Sequence, residues 1–336
     1  MINYISRLKI VEGLYTAKVF PGLNAVKGIL IILVIFTHSL PDSMLLYFNY
    51  LFHMPVFLAV SGYLLKVSAF KNGIVAYFQR LFHRLIIPWI IATICYLPYS
   101  LKGRSITTFN LTDLLYPYFH LWYVPANVIG VLLCYSVIKF KIPALLMLIL
   151  TGAFTLIWYN VYRATDLTVE QQPLYFLGEK RFYAYLVFSF LGFSLRNELI
   201  KVKFPALLLF GVVAVSFATI VFLVYGHAPD YVVVIPYMFF NVCLVLFLLL
   251  YFAPLEWFQH KLILLINKQS LGFYLYHPMV VSTIYRLIGD PENLHSSNLD
   301  QMLVGFCTLI IMLIAIWLIQ KWRVSNRFLL GITEEK

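Results

Sequence analysis

Long apolar runs separated by short polar segments form the dominant pattern of this chain. Ten of these runs have about the 17–25 residues that an α-helix needs to cross a bilayer. They cover 23–41, 45–65, 85–101, 119–138, 142–160, 181–197, 204–225, 231–252, 270–288 and 301–320. The segment 67–84 differs because it carries Lys71, Arg80, His83 and Arg84 among Phe and Tyr residues. This composition is typical of an amphipathic helix at the membrane surface.

The pattern predicts an all-α fold, a polytopic helical membrane protein with about ten transmembrane helices. No repeat, low-complexity tract or change of composition divides the chain. We therefore expect a single transmembrane domain over 1–336, with its core at about 20–320 and with cytoplasmic tails at 1–20 and 321–336. Residues 1–20 have no long apolar core, so a cleavable signal peptide is not expected.

Composition supports a membrane location. The chain is 62% hydrophobic and 12% charged, whereas soluble domains are about half apolar and about a quarter charged. The net charge of +11 would favour nucleic-acid binding in a soluble protein. In a membrane protein, Lys and Arg instead hold loops on the cytoplasmic side, so no nucleic-acid partner is expected. The four cysteines show no metal-ligand spacing, and no metal site is expected either.

The distribution of Lys and Arg predicts the orientation. With the N-terminus in the cytoplasm, 18 of the 25 basic residues fall on the cytoplasmic side and 6 on the other side. The remaining one, Lys27, lies within the first span. This bias follows the positive-inside rule, and an even number of spans also places the C-terminus in the cytoplasm.

Two ionisable side chains, Lys27 and His38, fall within the first predicted span. Such residues are costly in lipid and are candidates for function. Their separation of 11 residues is close to three helical turns, which places both side chains on one face about 16 Å apart along the axis. The alternative is that Lys27 extends to the interface and His38 caps the helix.

Polar residues in the next segments give further candidates on the cytoplasmic side. Ser61 shares a face of the second span with His53, although Ser and Gly in membrane helices also serve close packing. Arg80 and Arg84 are four residues apart, just before a span, where such a pair can bind a phosphate-rich ligand. Contact with lipid headgroups is the alternative for the arginines.

Five residues further along the chain are candidates for substrate binding. Trp122 opens the fourth span, Glu179 and Arg181 precede the sixth, and Tyr274 and His277 share a face at the start of the ninth. Membrane-interface anchoring, pairing of Glu179 with its neighbours and helix association are the alternatives.

Several common motifs are missing from the sequence. The chain has no G-x-x-x-x-G-K-[ST] phosphate loop, no H-E-x-x-H and no G-x-S-x-G. His295 and Asp300 have the H-x4-D spacing of glycerolipid acyltransferases, but the rest of that pattern is missing.

Taken together, five segments resemble the acyltransferase-3 family of membrane acyltransferases, which modify bacterial surface sugars. The family pattern begins with a basic residue and, after ten residues, a His in the first span, followed by a Phe-x-x-Ser-Gly-aromatic motif. An Arg-rich stretch that ends in Pro comes next. A Leu-Trp-aromatic motif and, near the end, a segment that runs from a Ser to a His complete the pattern. Here these are Lys27 and His38, Phe57 to Tyr63, Arg80 to Pro88, Leu121 to Tyr123, and Ser270 to His277. The order matches from about residue 20 to residue 320. The family usually has Arg at the position of Lys27, and Lys keeps the charge without the bidentate fork.

The resemblance implies transfer of an acyl group, most often acetyl, from cytoplasmic acyl-CoA to a sugar hydroxyl outside the membrane. His38 and Lys27 are then the expected catalytic residues. His38 would be the general base or a transient acyl carrier, and Lys27 would stabilise the oxyanion, hold the acyl donor or organise the floor of the cavity. Arg80, Arg84 and Ser61 are expected to bind acetyl-CoA. A bacterial inner membrane, an acceptor in a polysaccharide or on a lipid carrier, and polysaccharide synthase partners are also implied.

Two other functions remain open from the residues alone. Some proteins with this fold have been proposed to export polysaccharide, which would make this chain an exporter or flippase-like component of an exopolysaccharide system. A transporter needs many polar groups across the membrane midplane, and this chain has few. The second alternative is a purely structural partner of a polysaccharide synthase.

Overall fold

All regular structure in the described part of the chain is helical. The computed structural model describes residues 20–40, 44–99, 107, 109–118, 120–163, 177–255, 260–289 and 297–332. The helices are α1 (Pro21–Ser39), α2 (Met44–Leu64), α3 (Gly73–Tyr96), α4 (Leu111–Leu115), α5 (Tyr123–Phe140), α6 (Ala144–Arg163), α7 (Leu186–Arg196), α8 (Ala206–Tyr225), α9 (Asp230–Phe247), α10 (Lys261–Lys268), α11 (Ser270–Leu287), α12 (Asn298–Gln320) and α13 (Arg323–Leu330).

Six helical segments within these ranges are long and apolar enough to cross a membrane. They are α1, α3, α5, α8, α12 and the segment Tyr231–Phe252, which joins α9 to a π-helical turn at Leu248–Phe252. The structure therefore confirms an all-helical, multi-pass membrane protein. The predicted number of about ten spans is not confirmed. The other four predicted spans correspond to α2, α6, α7 and α11, which are not among these six segments.

Helix α3 joins two segments that the sequence separates. A surface helix over 67–84 and a span over 85–101 are predicted, yet one helix runs through Gly73–Tyr96. The described part of the predicted span ends at residue 99. Pro88 cannot donate to the carbonyl of Arg84, and the helix widens into a π turn at Phe82–Ile86 just before it. The wider turn accommodates the proline without ending the helix.

Helix α7 covers only Leu186–Arg196 of the span predicted at 181–197. It has only 11 residues, whereas a span needs about 20. All residues from 187 to 194 are buried, so protein rather than lipid surrounds this apolar segment. A Cβ added to Gly62 of α2 would lie 1.9 Å from the Ser189 carbonyl oxygen, and one added to Gly192 would lie 1.9 Å from that of Ala59. The two backbones thus touch, as small residues allow in membrane helices.

Helix α1 occupies the middle of the bundle, where it packs against α2, α10, α11 and α12. Prolines within the neighbouring helices leave carbonyls without their helical donor, and side chains from other helices supply new donors. Pro55 of α2, for example, has no N–H to donate to the Leu51 carbonyl, and Asn241 Nδ2 of α9 donates to that carbonyl over 2.9 Å. This interhelical bond fixes α2 beside α9.

The predicted C-terminal tail, 321–336, contains helix α13 and is therefore partly structured. Gly331 ends this helix at a φ of +66°, and an added Cβ would lie 1.9 Å from the Arg84 carbonyl oxygen. The C-terminal helix thus packs directly against the π turn of α3. Residues 1–19 and 333–336 of the predicted tails lie outside the described residues.

Candidate active site

A cavity of about 780 Å³ lies between α1, α2, α5, α11 and the segment that precedes α7. The ionisable and other polar side chains that line it are Lys27, His38, His53, Ser61, His120, Asn127, Arg181 and Ser270. Its aromatic lining is formed by Tyr47, Tyr50, Phe57, Trp122, Tyr123, Tyr185, Tyr237 and Tyr274. In the described part of the chain no Asp or Glu lines the cavity, so its charged lining is cationic.

Helix α1 directs both of its ionisable side chains into this cavity. Lys27 and His38 both line it, so the predicted common face is confirmed. We call the two regions of the cavity the Lys27 end and the His38 end. Asn24, which lies three residues before Lys27, accepts a hydrogen bond from Asn267 Nδ2 of α10 over 3.1 Å. That bond fixes the Lys27 end of α1 against α10.

Three imidazole rings meet at the His38 end. The ring centroids of His38 and His277 are 5.1 Å apart, those of His120 and His277 are 5.3 Å apart, and those of His38 and His120 are 6.0 Å apart. His277 is fully buried and does not line the cavity. Within the described residues, no group of His, Cys, Asp or Glu side chains is arranged to hold a metal ion.

A proline in α11 creates the acceptor that holds two of these rings. Pro278 has no N–H, so it cannot bond the carbonyl of Tyr274 four residues earlier. That carbonyl instead lies 2.8 Å from His120 Nε2 and 3.1 Å from His277 Nδ1, and the Phe273 carbonyl lies 2.7 Å from His277 Nδ1. A carbonyl only accepts, so the nitrogens that face it carry the protons.

Reciprocal contacts fix the same region further. The Tyr274 hydroxyl donates to the His120 carbonyl, while His120 donates to the Tyr274 carbonyl. Trp89 Nε1 donates to the Leu121 carbonyl over 3.0 Å, and the Tyr96 hydroxyl donates to the Leu275 carbonyl over 3.0 Å. The segment before α5 is thereby attached to α3 and α11.

His53 is a site residue that the sequence reasoning noticed but did not choose. Its Nδ1 lies 2.6 Å from the Asn49 carbonyl oxygen, so the proton of a neutral ring is on Nδ1 and the lone pair is on Nε2. The ring lines the cavity on the α2 side. The signal that could have identified His53 is the presence of an ionisable residue within an apolar span. The same signal applies to His120, which is also buried and lies two residues before the predicted Trp122.

An Arg-Glu pair and an aromatic pair form the wall near the start of α7. The Arg181 guanidinium contacts the Glu179 carboxylate, with Nε to Oε1 at 3.2 Å and Nη2 to Oε2 at 3.3 Å. It also lies 5.3 Å from the centroid of the Trp122 ring, which stacks on Tyr185 at 5.7 Å. Arg181 and Trp122 line the cavity, whereas Glu179 only holds the arginine in place.

At the Lys27 end, two predicted residues lie in the wall and two lie outside it. Lys27 lines the cavity, and so does Ser61, whose hydroxyl is 2.6 Å from that of Tyr123. Arg80 and Arg84 are exposed and do not line the cavity. The Arg84 guanidinium is nevertheless close enough to Lys27 to interact with it electrostatically.

Of the two residues with the glycerolipid-acyltransferase spacing, the structure describes only Asp300. His295 lies outside the described residues. Asp300 forms a capping box with Ser297 at the start of α12, which is a structural role.

The fold and the cavity define a helical membrane protein with an internal cationic, histidine-rich site. The model of the acyltransferase-3 family, described as an acyltransferase domain, matches residues 20–321. Because this match covers most of the chain, the protein belongs to that family of membrane acyltransferases. No curated protein and no solved structure matches the chain.

Proposed function

We propose that this protein is a membrane O-acyltransferase that moves an acetyl group from cytoplasmic acetyl-CoA to a sugar hydroxyl outside the membrane. The acceptor would be a polysaccharide or a lipid-linked sugar. The observation that carries the proposal is the single cavity that Lys27 and His38 both line. One cavity can bring a donor from one side and an acceptor from the other to the same histidine.

His38 is the general base in this proposal. A sugar hydroxyl is a poor nucleophile at neutral pH and needs a positioned base, and neutral imidazole is the side chain best suited to that role. His38 takes the hydroxyl proton while the oxygen attacks the thioester carbonyl. The C–S bond then breaks, and the thiolate takes the proton back from His38, leaving an ester and free CoA.

The Lys27 end is the proposed donor site. Acetyl-CoA carries several phosphate charges, and the charged lining of the cavity is cationic in the described residues. Arg80 and Arg84 would meet the phosphates outside the cavity, and Lys27 would guide the pantetheine arm inwards. Because Lys27 and His38 are about 16 Å apart along α1, a long flexible thioester arm suits the path between them.

The wall formed by Trp122, Tyr185 and Arg181 is the proposed acceptor site. Flat aromatic rings offer apolar faces to sugar rings, and the guanidinium donates hydrogen bonds to hydroxyl or acidic groups. The salt bridge to Glu179 keeps the Arg181 guanidinium in one orientation. Tyr274 also lines the cavity, and its ring centroid lies 5.0 Å from that of His120.

The proposed orientation follows from the charge distribution. We propose a bacterial inner-membrane protein with both termini in the cytoplasm and about ten spans, in which α2, α6, α7 and α11 complete the bundle together with the six long apolar segments. The excess of Lys and Arg on one side supports this orientation. A polysaccharide synthase is the proposed source of the acceptor.

The test is release of free CoA and transfer of labelled acetyl from acetyl-CoA by protein purified in nanodiscs, with a panel of sugar acceptors. We expect turnover by the wild type, and a loss of kcat of about 10²- to 10⁴-fold in His38→Ala because the general base is removed. His260→Ala is the matched control, since His260 is exposed at the start of α10 and should keep wild-type activity.

Two results would contradict the proposal. Full activity in His38→Ala would remove the proposed base. No turnover by folded wild-type protein with any acceptor would remove the acyltransfer reaction itself and would favour export of polysaccharide.

A further inference from the structure

His277 lies next to His38 on the side away from the cavity. His38 lines the cavity, whereas His277 does not and is fully buried. The two ring centroids are 5.1 Å apart with an angle of 31° between the ring planes. A substrate in the cavity can therefore reach His38 but can be influenced by His277 only through His38.

The protonation of His277 follows from its main-chain contacts. Its Nδ1 lies 2.7 Å from the Phe273 carbonyl oxygen and 3.1 Å from that of Tyr274, so Nδ1 is the donor. A neutral ring then carries its lone pair on Nε2. That nitrogen is buried and has no hydrogen-bond partner within the described ranges. A buried acceptor that is left without a donor is costly and requires an explanation.

We propose that Nε2 of His277 accepts a hydrogen bond from the nearer ring nitrogen of His38 during the reaction, which makes His277 a positioning residue. A centroid separation of 5.1 Å suits two imidazoles joined end to end by an N–H···N bond of about 2.9 Å. With its proton held on this nitrogen, His38 would use the opposite nitrogen to take the proton of the acceptor hydroxyl.

This inference rests on the proposed function, in which His38 takes the proton of the acceptor hydroxyl. The proton that His38 gains on its cavity side is returned to the leaving thiolate, so no net proton passes to His277. His277 only accepts a hydrogen bond from the imidazolium that forms. It thus has the place that a carboxylate occupies behind the histidine of a Ser-His-Asp triad. A neutral acceptor avoids burying an extra charge within the bundle.

His120, the third ring, does not fit the same role. Its Nε2 donates to the Tyr274 carbonyl, and its ring lines the cavity, where a substrate can contact it directly. The shared Tyr274 carbonyl instead fixes His120 and His277 relative to each other. The arrangement therefore assigns the position behind His38 to His277.

Two substitutions separate a positioning role from a structural one. In His277→Asn, the amide nitrogen can replace Nδ1 and keep the bond within α11, but nothing replaces Nε2. In His277→Gln, the longer side chain can place an amide oxygen where Nε2 lies, but the Nδ1 donor is lost. The positioning role predicts that kcat falls about 100-fold or more in the Asn variant and about tenfold or less in the Gln variant. The KM for acetyl-CoA should change less than about twofold in both, because acetyl-CoA binds away from His277.

Tyr276→Phe is the matched control, because it removes another hydrogen bond of α11, to the Leu329 carbonyl of α13, at a residue that does not line the cavity. We expect this variant to melt at a lower temperature and to keep the kcat of the wild type.

Activity in His277→Asn at or above that of His277→Gln would overturn the inference, because it would show that only the bond within α11 matters. Inactive wild-type protein would overturn the inference together with the proposed function. Active wild-type protein with the Asn variant equally active would overturn the inference alone.

Discussion

The two ends of the cavity are built differently. At the His38 end, the neighbouring rings of His120 and His277 are buried, and main-chain carbonyls of α11 fix which of their nitrogens carry protons. At the Lys27 end, Arg84 interacts electrostatically with Lys27, and both Arg84 and Arg80 are exposed. Fixed hydrogen bonds suit the chemical step, whereas exposed cations suit capture of an anionic ligand.

The proposed roles of the two ends can therefore be separated kinetically. Substitutions at the His38 end, of which His38→Ala and His277→Asn are the strongest, should lower kcat. Substitutions at the Lys27 end should mainly raise the KM for acetyl-CoA. A substitution at the His38 end that changed only KM, or one at the Lys27 end that changed only kcat, would contradict this division of roles.

Lys27 should give the largest effect at its own end. Lys27→Met keeps much of the length of the side chain and removes the charge. We expect the KM for acetyl-CoA to rise about tenfold or more, because a hydrogen bond to a charged group contributes about 1.5–3 kcal/mol. Lys27→Arg, which keeps the charge, is the matched control and should stay within about threefold of the wild type, within the scatter of such contributions. A fall in kcat at unchanged KM in Lys27→Met would place this residue in the chemical step instead.

The two arginines should give smaller and unequal effects. Arg84 interacts electrostatically with Lys27, whereas Arg80 donates to the Ala69 carbonyl over 3.2 Å. Arg84→Ala should raise the KM about two- to fivefold, since exposed charges contribute about 0.2–1 kcal/mol. Arg80→Ala should raise it less.

The dependence of KM on ionic strength should differ between Arg84→Ala and Lys27→Met. Raising the ionic strength from about 0.01 M to about 0.15 M shortens the screening length from about 30 Å to about 8 Å. The effect of Arg84→Ala should therefore shrink with added salt, whereas that of Lys27→Met, inside the cavity, should persist. Equal salt dependence of both variants would show that Lys27 and Arg84 meet the donor in the same solvent-exposed way.

Much of the fold could be predicted from local pattern. Apolar length identified the segments of α1, α5, α8 and α12, because lipid and helical geometry set the same length for each span. The same signal did not show that the helix at 181–197 has only 11 residues, because an apolar segment inside a protein and one in lipid have similar composition. Helix α7 is buried by α2 through the contacts of Gly62 and Gly192, which no local pattern contains.

The site could be predicted only in part, for a similar reason. Helical spacing placed Lys27 and His38 on one face of α1, and the cavity confirms it. The histidine cluster depends on contacts between residues far apart in the chain, such as His120 and Tyr274, which are 154 positions apart. Pro278 leaves the Tyr274 carbonyl without its helical donor, but the sequence does not say which side chains take its place.

The central claim is that one cavity has a donor end and an acceptor end on opposite sides of the membrane. Ser270→Cys and Tyr50→Cys test it directly, since both residues line the cavity. They would be introduced singly into a chain whose four native cysteines, of which Cys95 and Cys307 are exposed, have been replaced. A membrane-impermeant thiol reagent is then added to vesicles of either orientation, with and without acetyl-CoA.

We expect the cysteine of Ser270→Cys to react from the cytoplasmic side and acetyl-CoA to protect it. The cysteine at 50 should react from the opposite side and should not be protected. Reaction of both cysteines from the same side would contradict a cavity whose donor and acceptor ends open to opposite sides of the membrane.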